Sequence, residues 1–112
     1  MRAPLDLLER LARVSAALGH WARAELWYVE WADRLAEERG ASDPQAVQGW
    51  LLVADARARQ GLLPGAAEAL EYVAMLTRAA QGPLAAVEVG CRAVLAALWR
   101  AMGDADRGKA VL

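Results

Sequence analysis

Cys91 and His20 are the two residues of this 112-residue chain whose side chains could act as nucleophile and base. Thiol attack would need the imidazole within hydrogen-bond reach of the sulfur. Glycine- and proline-rich breaks separate them, with His20 at a junction and Cys91 inside an apolar run. They read as a loop histidine and a buried structural thiol. One cysteine excludes an internal disulfide, and one cysteine with one histidine leaves too few soft ligands for a zinc site. The stretch from Gly103 to Gly108-Lys109-Ala110 has the glycine spacing of a phosphate loop. It places alanine where the metal-binding Ser or Thr is needed, and no strand precedes it. Glu37-Glu38 beside Arg34 and Arg39 read as a solvated helix face. Asp104 and Asp106 flank the start of a last helix, where negative charge suits the macrodipole. No catalytic, cofactor or metal site is expected, and the chain does not read as an enzyme.

Charge narrows the partners. Thirteen basic and fourteen acidic residues are spread along the chain for a net charge of −1, so no sustained positive surface exists to neutralise a phosphate backbone. Direct nucleic-acid contact is not expected. Hydrophobic residues make up 57%, yet Gly and Pro interrupt every apolar stretch before the roughly 18 residues that cross a bilayer. Met1-Arg2-Ala3-Pro4 runs directly into Asp6, Glu9 and Arg10, with no signal-peptide core, which points to a cytoplasmic protein.

The elements that hold these residues are helices. The chain has no Ile, Asn or Phe and is dominated by Ala, Leu and Arg, which are strong helix formers. Five tryptophans must then supply most of the aromatic packing volume. Breakers and apolar periodicity predict helices at roughly 4–18, 21–39, 44–60, 64–81, 84–102 and 104–112. Asp43 with Pro44 is the clearest start signal, and Gly19, Gly40, Gly61, Gly82 and Gly103 are the stops.

Those stops recur at an interval of 42 residues, Gly19 to Gly61 to Gly103 and Gly40 to Gly82. The same shift superposes Ala12, Ala54 and Ala96, then Ala24 with Ala66, Ala32 with Ala74, and Tyr28 with Leu70 and Leu112. Each unit reads as two antiparallel helices, held close by small residues where they meet. The second helix carries a stripe of Trp21, Ala24, Tyr28, Trp31 and Leu35, repeated as Leu63, Ala66, Leu70 and Val73 before weakening at the polar Thr77. A single repeat domain over 1–112 follows, with units of about 1–42, 43–84 and a truncated 85–112, stacked into a superhelix.

Within each unit a large apolar residue, an apolar-small pair, a glycine and an alanine appear as Trp50, Val53-Ala54, Gly61 and Ala66. The first unit gives Leu8, Leu11-Ala12, Gly19 and Ala24, and the third gives Leu95-Ala96 and Gly103. This order resembles the tetratricopeptide repeat. The third unit departs from it, with Arg92 in place of Trp50 and Gly108 in place of Ala66. The period exceeds the usual one of about 34 residues. The segments from Ala79 to Leu84, Val87 to Val89 and Ala93 to Leu98, closed by Met102 to Arg107, resemble the helical sensor region of bacterial LuxR-type activators related to MalT.

That resemblance implies a cytoplasmic scaffold that senses a protein or small-molecule inducer as part of a transcriptional regulator. It also implies a concave groove lined by each unit's first helix, here Asp6, Glu9, Arg13, Gln48, Leu51, Asp55, Arg59, Ala93, Ala97 and Arg100. Glu9 with Arg13 and Asp55 with Arg59 are helical pairs in the favourable order. In the functional reading Arg13, Arg59 and Arg100 form a ladder for carboxylates. A cluster of Trp27 and Trp31, together with an outward-facing Tyr72, is a second candidate interface. Self-association through an apolar edge at Val111-Leu112 is a further expectation. The alternative is a free-standing tetratricopeptide adaptor that binds a peptide or pairs with itself.

Overall fold

The computed structural model describes residues 3–78 and 83–103, apart from the side chains of 83–85. Within them lie five helices, α1 (Leu5–Ala17), α2 (Trp21–Arg39), α3 (Pro44–Arg59), α4 (Leu63–Thr77) and α5 (Pro83–Ala101), and no strand. The helix expected at 104–112, the stop at Gly82 and the apolar edge at Val111-Leu112 lie outside the described residues.

Helix ends follow from local chemistry. The Asp43 carboxylate accepts from the amides of Gln45 (3.0 Å) and Ala46 (3.2 Å), while Pro44 occupies the first turn without wasting a donor. Gly19 ends the first hairpin's opening helix at φ 76°, where the amide of Gly19 donates to the Ala16 carbonyl (3.0 Å) and that of His20 to Ser15 (2.8 Å). The same bonds close α3 at Gly61, φ 78°, from Gly61 to Ala58 (3.0 Å) and from Leu62 to Arg57 (2.9 Å). Both are left-handed glycine turns that satisfy otherwise orphaned carbonyls.

Each helix packs chiefly on its neighbours in the chain: α2 lies between α1 and α3, and α4 between α3 and α5. Contacts across the pairs fix the directions as antiparallel. Arg34, late in α2, donates to the Ala3 carbonyl just ahead of α1 (2.6 Å). Arg57, late in α3, meets Glu25 early in α2 (3.0 Å) and the Gly65 carbonyl early in α4 (3.0 Å). The molecule measures 46 × 32 × 18 Å. Its shortest dimension is less than two helix diameters of about 10–12 Å, so the helices form a thin slab.

Small residues set the spacing. Ala12, Ala54 and Ala96 are buried at matching places in α1, α3 and α5, as are Ala24 and Ala66 in α2 and α4. Gly49 lets α3 approach α2 closely, because a Cβ there would stand 2.8 Å from the Ala32 Cβ. Tyr28, Trp31, Leu35, Leu70 and Val73 fill the core between them.

Two expectations require correction. Thr77 does not weaken the inward stripe: it is 0% exposed, and its hydroxyl donates to the Val73 carbonyl (2.9 Å), which removes the cost of burying it. Arg34 does not belong to a solvated face. It is 8% exposed, anchoring the segment before α1 through Ala3, with Glu38 at 3.4 Å one turn on. No described helix is long and apolar enough to cross a membrane.

Candidate functional site

A recess opens between α3 and α5, on the face built by α1, α3 and α5. Tyr28 of α2 is buried, 4% exposed. Burial raises its phenol above the usual value, Arg13 opposes this, and Asp55 and Glu9 add to it, so α1 and α3 both bring charge to the ring. Leu70 of α4 stands 42 residues on from Tyr28 and lines the recess. The recess is a cavity of about 210 Å³ with Leu51, Ala54, Asp55 and Ala58 of α3 on one wall, Val94 and Leu98 of α5 on the other, and Ala66 and Leu70 beneath.

Glu9 and Arg13 of α1 hold the positions, 42 residues back, that Leu51 and Asp55 take in α3. Among the described residues Asp55 is the sole ionisable side chain lining the cavity. At about 210 Å³ it is smaller than the roughly 300–1,000 Å³ of most small-molecule sites, a fit for a short aliphatic group.

The groove residues expected from the sequence are distributed along this face. Arg13 pairs with Glu9 (2.9 Å) and Arg59 with Asp55 (3.4 Å), each one turn away on its own helix and largely exposed. Such pairs contribute about 0.3–0.5 kcal/mol. Arg59 also lies over the Trp21 ring, 4.9 Å from its centroid. Two of the three arginines of the expected ladder therefore already meet counter-charges on their own helices. Arg100 is exposed near the end of α5 and has no ion pair among the described residues, and Gln48 is exposed on α3. Ala93 and Ala97 are exposed but do not wall the cavity; Val94 and Leu98, one residue further on, do.

The aromatic candidates separate. Trp31 is 3% exposed and belongs to the core, so it presents no interface of its own. Trp27 is half-buried against that core. Tyr72 is partly exposed and stands edge-on to Trp50, centroids 5.4 Å apart at 88°. Leu26, expected to face away from the core, is 70% exposed.

Cys91 is buried in α5, and burial pushes its thiol up, which disfavours the thiolate that nucleophilic chemistry requires. His20 is exposed at the start of α2. Among the described residues no group of three or more His, Cys, Asp or Glu side chains is placed to hold a metal ion. Of the glycine-spaced stretch 103–110, all but Gly103 lies outside the described residues.

A polar node escaped the sequence reading. Glu25 accepts from Arg57 Nε (3.0 Å) and from Gln60 Nε2 (2.9 Å), and Arg57 reaches on to the Gly65 carbonyl, joining α2, α3 and the start of α4. Glu25 lies 32 and 35 positions from Arg57 and Gln60, beyond any helical periodicity. No family model, curated protein or solved structure matches the chain.

Proposed function

We propose that the chain is a non-catalytic interaction scaffold of stacked two-helix units, binding a partner on the face formed by α1, α3 and α5. The open cavity between α3 and α5 carries the proposal, because it is a walled recess on the face from which Glu9, Arg13, Asp55 and Arg59 project. Stacking of like units is supported by the glycine turns after α1 and α3, which repeat the same hydrogen bonds 42 residues apart, and by the matching burial of Ala12, Ala54 and Ala96. A non-catalytic role is supported by the buried thiol of Cys91, the one cysteine in the chain. Within this reading the sequence around Gly82 and Gly103 favours the sensor segment of a LuxR/MalT-like cytoplasmic regulator, responding to a protein or small-molecule inducer.

The test compares partners captured by the wild-type chain with those captured by a variant carrying Arg13→Glu, Arg59→Glu and Arg100→Glu. Loss of a partner from a variant that keeps its helical spectrum and melting temperature supports the binding face. A partner retained at equal affinity moves binding to another surface and removes the groove from consideration. A regulator role predicts an ATP-binding switch module and a helix-turn-helix domain encoded in the same reading frame, and a frame encoding neither would overturn it.

A further inference from the structure

We infer that the cavity between α3 and α5 is a specificity slot for one aliphatic side chain with a basic residue beside it in a peptide partner. This rests on the binding face proposed above. Three observations lead to it. The walls contributed by Leu51, Val94 and Leu98 are apolar, and the floor is Leu70, so the slot favours a hydrocarbon group. Its volume of about 210 Å³ admits a leucine-sized branch and not a whole small-molecule ligand. Among the described residues Asp55 is the one ionisable side chain on the rim, half exposed and held by Arg59 through a single 3.4 Å contact, so it remains able to accept from an incoming ammonium or guanidinium.

Leu70 of α4 stands 42 residues on from Tyr28 of α2, which is buried with 4% exposure. Leu70→Tyr should close the slot with a larger side chain of the kind the equivalent position in α2 already accommodates.

Amide chemical shifts of the full chain, titrated with the blocked dipeptides acetyl-Leu-Lys-amide and acetyl-Leu-Glu-amide, provide the test. With the Lys dipeptide, shifts are expected at Ala54, Ala58, Val94 and Leu98. The Glu dipeptide should bind about two- to fivefold more weakly, the ratio that an exposed ion pair supplies. Leu70→Tyr should abolish the shifts, and Ala58→Leu, which narrows the mouth from α3, is the second variant should the first not fold. Asp55→Asn should erase the preference for Lys while leaving the leucine response. Absence of shifts at the slot, equal binding of the two dipeptides, or unchanged binding by a folded slot-filling variant would each overturn the assignment. If the slot is silent while the triple arginine variant still loses a captured partner, the slot fails and the binding face survives.

Discussion

The Arg57 guanidinium and the Glu25 carboxylate meet at 3.0 Å across the packing face of α2 and α3, with both side chains mostly withdrawn from water. The same carboxylate takes the Gln60 amide at 2.9 Å, and the same guanidinium reaches the Gly65 carbonyl at 3.0 Å. One charge pair therefore ties three consecutive helices. Exposed pairs such as Glu9 with Arg13 stay within a single helix and hold nothing together.

Removing one partner of that node leaves the other charge half-buried with fewer acceptors or donors. Arg57→Ala should lower the unfolding free energy by about 1.5–3 kcal/mol, the range for hydrogen bonds to charged groups. Arg13→Ala should cost no more than about 1 kcal/mol. Urea denaturation of the two variants decides the matter, and equal midpoints would show that the node is not structural.

Gly49 supplies a second prediction. A Cβ at this position meets the Ala32 Cβ at 2.8 Å and the Ala32 Cα at 3.3 Å, so relieving the clash requires the two helices to shift. Gly49→Ala should destabilise by about 1–3 kcal/mol through overpacking, although alanine is the better helix former. Adding Ala32→Gly should recover part of the loss. A double variant no more stable than Gly49→Ala alone would show that the strain lies elsewhere.

These two sites mark the boundary of what the sequence disclosed. Helix positions were legible because glycine stops, the Asp43-Pro44 start and the apolar stripes are local signals, and α2 falls where they place it. The close-approach alanines were legible from their recurrence. Gly49 was not, since it lies inside a helix and looks like a weak point until Ala32 is set opposite it. Arg34 and Thr77 were misread because polarity suggested solvent, whereas each finds a carbonyl to donate to inside the fold. On the candidate face, the pairs of Glu9 with Arg13 and Asp55 with Arg59 were readable from their spacing. The slot was not, because it depends on α5 turning Val94 and Leu98, rather than Ala93 and Ala97, toward α3.

Gly19 and Gly61 allow a direct comparison between the two turns. Each has positive φ, 76° and 78°, and neither has an atom within 4 Å of an added Cβ, so alanine would meet backbone strain alone. Gly19→Ala and Gly61→Ala should each cost about 1–2 kcal/mol. Thermal melts should also agree between the two, because the hydrogen bonds around them match. A large difference would mean that the turns are alike in shape and unlike in energy.

Asp33 should respond in the opposite sense. Its carboxyl is raised above the usual range by burial first, and then by Glu37 and Glu30 on the same helix. A carboxyl whose folded value is raised favours folding while protonated and loses that advantage as pH climbs through the shifted value. Asp33→Asn should therefore raise the melting temperature at neutral pH, and the gain should vanish below about pH 3, where the aspartic acid is already neutral. A gain that persisted unchanged in acid would exclude charge as its cause.

Cys91 tests the core around α5. Its thiol is buried and pushed above its ordinary value of 9.0 by desolvation, so the native protein should resist alkylation at pH 8, whereas the urea-unfolded chain reacts at the rate of a free thiol. Above the unfolded thiol's pKa the unfolded chain gives up its proton while the native one retains it. The unfolded state then binds fewer protons, and native stability must fall as pH rises through that window. Tyr28, also raised by burial, adds to the decline about one unit higher. Cys91→Ala should remove the earlier part of the decline and leave the later part, read as urea midpoints between pH 7 and 10.5. Rapid alkylation of the folded chain would show that α5 opens from α4 far more readily than the burial of its Cys91, Leu95 and Trp99 implies.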